Sequence, residues 1–115
     1  MLQIKNAPKE GQIWWQYASI YAQKDKTIEV ILIKKDGRII DQITVSKEEF
    51  EQQFESSPKI QGYYYHKAKI IKVTDKIVGY AIIDKQGDEI SDRKRKQIDT
   101  FTQEFFLPEQ NNQET

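Results

Sequence analysis

Ile28 to Pro58 reads IEVILIKKDGRIIDQITVSKEEFEQQFESSP. Five of its first eight residues are apolar, four of them unbroken from Val30 to Ile33, as in a strand covered on both faces. Asp36-Gly37 supplies the positive φ of a tight hairpin, so Arg38 to Val45 returns antiparallel beside it. Ser46 then stands at a helix N-cap with Glu49 three residues on, the pattern of a capping box. Phe50 and Phe54 give that helix one apolar edge, leaving Glu48, Glu51 and Glu55 for water, and Pro58 closes the stretch.

Much of this recurs fifty residues on. Pro8-Lys9 falls on Pro58-Lys59, Ala18 on Ala68, Ile20 on Ile70, and Asp25-Lys26 on Asp75-Lys76. Ile33, Lys35, Gly37 and Ile40 fall on Ile83, Lys85, Gly87 and Ile90. With one inserted residue, Phe50 and Phe54 match Phe101 and Phe105. A tandem duplication follows, with repeats at 8–57 and 58–107 and a disordered polar tail at 108–115. Units of about fifty residues bury little surface alone, so the copies are expected to share a core in a single body.

The coarse reading is an α+β fold of two tandem β-β-β-α repeats, as antiparallel sheets or small barrels each followed by a short helix. Ile13 to Ala22 opens the first copy and Tyr63 to Val73 the second; Ile77 to Ile83 and a brief Glu89-Ile90 strand follow. Ser91 or Asp92 is expected to cap the last helix, whose stripe is Ile98, Phe101 and Phe105.

Alternation along the first strand sets Trp14, Ala18 and Ile20, with counterparts Tyr64, Ala68 and Ile70, on a core face. On the opposite face the copies differ: Trp15, Tyr17 and Tyr21 in one, Tyr65, Lys67 and Lys69 in the other. Divergence there points to a contact surface, with the aromatics as anchors and Lys67, Lys69 and Arg93 to Lys96 (Arg93, Lys94, Arg95, Lys96) steering an acidic partner. The bland reading is that the same rings fill a seam between the halves.

Eighteen basic and eighteen acidic residues cancel in the 115-residue chain, which removes the large positive excess typical of nucleic-acid binding. That alternative keeps one foothold: Arg93 to Lys96 with Tyr63 to Tyr65, Lys67, Lys69 and Lys72 would grip a backbone and stack on bases. With no Cys, thiolate chemistry and Cys-based zinc sites are excluded and a reducing, cytoplasmic setting is natural. No apolar run reaches the ~18 residues a membrane helix needs, so no membrane partner is expected. His66, the one histidine, has no nearby Cys or spaced carboxylates for a metal. No strained nucleophile turn or Gly-rich phosphate loop is present, so neither catalytic residue nor cofactor is assigned.

The first copy also carries P-K-x-G-x-I-W-W from Pro8 to Trp15, then D-G-R-I-I, then V-S-K-E-E-F-E-Q-Q-F-E ending at Glu55. This resembles small SH3-like or Tudor-like β-barrel units of bacterial and phage accessory proteins. The second copy departs from it, with Tyr64-Tyr65 for the tryptophans. The resemblance implies a non-catalytic docking module, one form of which is a phage-borne inhibitor of a host enzyme. The expectation is therefore a small non-enzymatic adaptor for a protein partner, with self-association open through an apolar outer strand face.

Overall fold

β-Branched and aromatic residues favour extended backbone in the first strand, β1 (Ile13–Gln23), where burial alternates and the even-numbered Trp14, Gln16 and Ala18 are buried. The computed structural model describes residues 7–108, so the expected polar tail from Glu109 on lies outside the described residues. After β1 come β2 (Thr27–Ile33), β3 (Ile39–Ser46), α1 (Lys47–Gln53) and the two-residue β4 (Glu55–Ser56). The chain continues through β5 (Tyr64–Val73), β6 (Ile77–Ile83), β7 (Lys94–Gln97) and α2 (Ile98–Glu104).

The expected pair of tandem β-β-β-α repeats, each with its own sheet or SH3-like barrel, is not what these elements form. They make one curled antiparallel sheet, ordered β3-β2-β1-β5-β6-β7, with β4 on β5, and only two short helices. Two contacts explain why neither half closes on itself. β1 and β5 zip together over six residue pairs from Ile13–Lys69 to Ala18–Tyr64. Each helix end also reaches the hairpin turn of the other half: the Gln52 carbonyl accepts from the Lys85 amide at 2.9 Å, and the Gln103 carbonyl from the Lys35 amide at 3.4 Å.

What does recur is the pairing register. Tyr17–Ile33, Ala18–Leu32 and Ile20–Val30 in the β1–β2 hairpin reappear as Lys67–Ile83, Ala68–Ile82 and Ile70–Tyr80 in β5–β6. Even the irregularity after Ile20 returns after Ile70. Both turns hold glycine at positive φ, 93° at Gly37 and 95° at Gly87, where a Cβ would strain the backbone. In the central pairing Trp14 faces Ala68, and their counterparts Tyr64 and Ala18 face each other. A local two-fold axis therefore runs through the pair between, Gln16 and His66.

Both helices lie on the even-numbered face. Phe50 and Phe54 of the α1 segment pack on Ala18, Ile28 and Val30, while Phe101 and Phe105 pack on Trp14, Ile70, Val78 and Tyr80. The rings stack in pairs, with centroids 5.0 Å apart in the first and 4.4 Å in the second. Each buried phenylalanine contributes roughly 1.5–3 kcal/mol of burial, more than propensity supplies to helices this short. At α1 the capping box forms: Ser46 Oγ accepts from the Glu49 amide at 3.0 Å, and Glu49 Oε1 from the Ser46 amide at 2.9 Å.

The last third of the chain departs from expectation. Arg93 to Lys96 does not begin a helix; Lys94 to Gln97 form edge strand β7, and α2 starts at Ile98 with Gln97 as an N-cap that makes no side-chain hydrogen bond. Ser91 caps nothing, because its Oγ accepts from the Ile82 amide and donates to the Asp92 carbonyl. The expected Glu89-Ile90 strand is reduced to an isolated backbone bridge between Glu89 and Ile83. The free edge of β6 decides this: a strand there pairs backbone groups of Ile77 to Tyr80 that a helix would leave unsatisfied.

Candidate functional site

On the sheet face away from the helices, strand alternation brings Trp15, Tyr17, Tyr65 and Lys67, four of the ten sequence-derived contact residues, into one cluster. Trp15 pairs with Lys67, and Tyr17 with Tyr65, across the β1–β5 seam. The Trp15 ring lies flat on Tyr65, with centroids 3.7 Å apart and planes 9° off parallel. Phe106 extends the strip, exchanging backbone hydrogen bonds of 2.8 Å with Trp15 and setting its ring 4.6 Å from Tyr17. Tyr63 adds an edge-on contact to Tyr17 at 5.7 Å.

A charged clasp closes one side of the strip. Glu55 does not face water from the helix as expected; it lies in β4, where it takes Lys67 Nζ at 3.0 Å and the Tyr65 hydroxyl at 3.1 Å. Burial pushes the Glu55 carboxyl upward, but Lys67 and the Tyr65 hydroxyl outweigh it and hold the group below its ordinary value. Burial, then the Glu55 hydrogen bond, push the Tyr65 phenol up to about 12.

Trp15 stands between two concavities. One, about 580 Å³, runs from Trp15 past Ile13, Lys67 and Ile83 to the Asp84 to Gly87 turn. The other, about 370 Å³, is bounded by Trp15, Tyr17, Pro58 and Phe106. Phe106 was missed in the sequence, although the adjacent Phe105 and Phe106 cannot share one narrow helical face and fit a strand-like exit better.

The other predicted contacts scatter. Tyr21, 63% exposed, sits at the irregularity of β1 and belongs to no ring cluster. Lys69 pairs with Ile13 and Ala81 on the outer face. The basic run does not make one patch. Arg93 is held by both carboxylate oxygens of Glu89, at 3.2 and 3.3 Å. Lys94 and Lys96 pair with Tyr80 and Val78 on the helix side, and Arg95 pairs with Gly79 on the other.

A third concavity, about 330 Å³, opens on the helix side, and Gln16 and His66 on the two-fold axis line it. His66 is only 3% exposed. Its Nε2 donates to Gln16 Oε1 at 2.6 Å, leaving Nδ1 to accept from Gln53 Nε2 at 2.9 Å. Phe54 stacks on the ring at 4.9 Å. Burial pushes the imidazole down to about 4, so it is neutral near pH 7 and both nitrogens are occupied by amides. Ile43 of β3 and Lys94 of β7 both border this cleft, which the curl of the sheet brings together from opposite edges. Lys96 and Glu104 form an ion pair at its wall.

Among the described residues no group of three or more His, Cys, Asp or Glu could hold a metal ion. None of their helices is long and apolar enough to cross a membrane. No protein-family model, curated protein or solved structure matches the chain.

Proposed function

We propose that this chain is a small, non-enzymatic docking protein that holds a protein partner on the outer face of β1 and β5. One observation carries the reading: the Trp15 ring forms a ridge shared by two concavities, so a segment laid over it sets one side chain on each side. A half-buried aromatic, already stacked on Tyr65, loses little entropy on contact and offers a large apolar area. Lys67, Lys69 and Lys85 stand on or beside this face and suit a partner whose apolar anchors are flanked by acidic groups. The absence of Cys supports a reducing, cytoplasmic setting for the encounter.

The nucleic-acid alternative has less support, because the basic run is divided between two faces of β7 and the Trp15 and Tyr65 rings cover each other. Phosphate grip and base stacking would have to come from separated places.

The test is capture from the native host with wild type, Trp15→Ala and the pair Lys69→Glu, Lys85→Glu, followed by titration of the purified partner. Loss of Trp15 is expected to weaken binding about 30-fold, the scale of an anchor residue. The charge reversals are expected to slow association and flatten its salt dependence. Unchanged affinity in folded Trp15→Ala protein rejects the assignment. Salt-sensitive retention of the wild type on a mixed nucleic-acid column, with no protein captured, favours the alternative.

A further inference from the structure

We infer that the cleft on the two-fold axis is a binding site for a small organic carboxylate with an apolar body. Two buried polar groups at this cleft have unmet hydrogen-bonding capacity among the described residues. Gln16 is 4% exposed and uses its Oε1 on His66, while its Nε2 makes no hydrogen bond; Tyr80 is 3% exposed and its hydroxyl makes no hydrogen bond, the Glu104 carboxylate acting on it only through its charge. Both residues line the cleft. A buried donor left unmet carries its full desolvation cost, so an acceptor oxygen supplied by a ligand recovers free energy on binding.

The third group selects for charge. Lys94, on edge strand β7, borders the same cleft and has no ion-pair partner among the described residues. Lys96, two residues on, is held by Glu104 and so offsets the one carboxylate set deep in this wall. Asp41 stands on the opposite edge strand, with Oδ1 accepting from the Gln42 amide. Net attraction at long range is therefore small, and recognition is local: two neutral donors inside, one ammonium at the rim. Ile43, Ile82 and Phe105 supply the apolar walls. A volume of about 330 Å³ lies at the small end of ligand pockets, which limits the ligand to a compact molecule.

The experiment is NMR titration of the full chain with benzoate and hexanoate, with benzamide and hexylamine as controls. Saturable shifts are expected at the Gln16 side-chain amide and at residues 80–82 and 94–96, with midpoints in roughly the millimolar range for ligands this small. Lys94→Met keeps the aliphatic stem on an exposed edge and is expected to weaken the carboxylates about tenfold, while leaving benzamide unchanged. Tyr80→Phe tests the second donor without emptying the core and is expected to weaken both. Trp15→Ala is expected to change nothing, which separates this site from the outer face. Non-saturable shifts, shifts confined to the Trp15 face, or equal affinity for benzoate and benzamide would overturn the inference.

Discussion

Replacing His66 by glutamine should remove the share of this fold's acid sensitivity that a buried imidazole contributes. In the native chain the imidazole is stacked on Phe54 and held by Gln16 and Gln53, and burial sets its pKa at about 4. In the unfolded chain the ordinary value near 6.5 returns. Between those values the unfolded state binds more protons than the native state, so stability is full above about pH 6.5 and falls as the pH drops. It stops falling near pH 4, where the native ring also charges. The gap between 6.5 and about 4, at about 1.4 kcal/mol for each pH unit, comes to roughly 3 kcal/mol. That is a large share of the 5–15 kcal/mol typical of a domain.

Urea unfolding at a series of pH values, for wild type and His66→Gln, measures it. Depressed carboxylates such as Asp36, bonded by Arg38, and Glu55, beside Lys67, also lose stability in acid, but they do so in both proteins. The stability difference between the two proteins isolates His66. It should shift against the wild type by roughly 3 kcal/mol from about pH 7 to about pH 4. Parallel pH profiles, or a His66 ring proton that titrates near 6.5 by NMR in folded protein, would refute the reasoning.

The two helix starts give opposite expectations: Ser46→Ala should cost about 1 kcal/mol by thermal unfolding, while Gln97→Asp, at an N-cap with no side-chain bond, should add about as much. Gly87→Ala should cost about 1 kcal/mol from strain alone, since nothing lies within 4 Å of its Cβ position, and Gly87→Asn should recover part of it in the same assay. Glu55→Gln should lower the Tyr65 pKa from about 12 without restoring the ordinary value, because burial is the larger cause; ultraviolet titration of tyrosinate reads this directly.

The parts of this fold that were legible in the sequence are those with short-range signals. Runs rich in β-branched and aromatic residues mark β1, β2, β5 and β6, the Asp36-Gly37 pair marks a turn, and Ser46 with Glu49 marks a helix start. How the strands join was not legible. The β1–β5 seam couples residues fifty apart, and nothing local to Gln16 or His66 announces their pairing. The same limit explains β7: acidic and hydroxyl residues ahead of Arg93 to Lys96 offer a plausible cap, and only the open edge of β6 makes that segment a strand. Once it is a strand, alternation breaks up the basic patch.

Divergence between the halves is not confined to the outward surface, since unlike residues also meet inside. Residues on a two-fold axis face their own counterparts, so position 16 meets position 66, and there the chain carries glutamine against histidine. Around that pair the contrasts continue: Gln53 ends α1 where Glu104 ends α2, and Ile43 and Val45 on β3 correspond to Lys94 and Lys96 on β7. Symmetric hydrophobic replacements at these places would pack a drier and more stable core, because buried polar pairs seldom repay their desolvation. The polar choices fall together at one cleft, on one side of the axis, and that is where a symmetric scaffold has been made asymmetric.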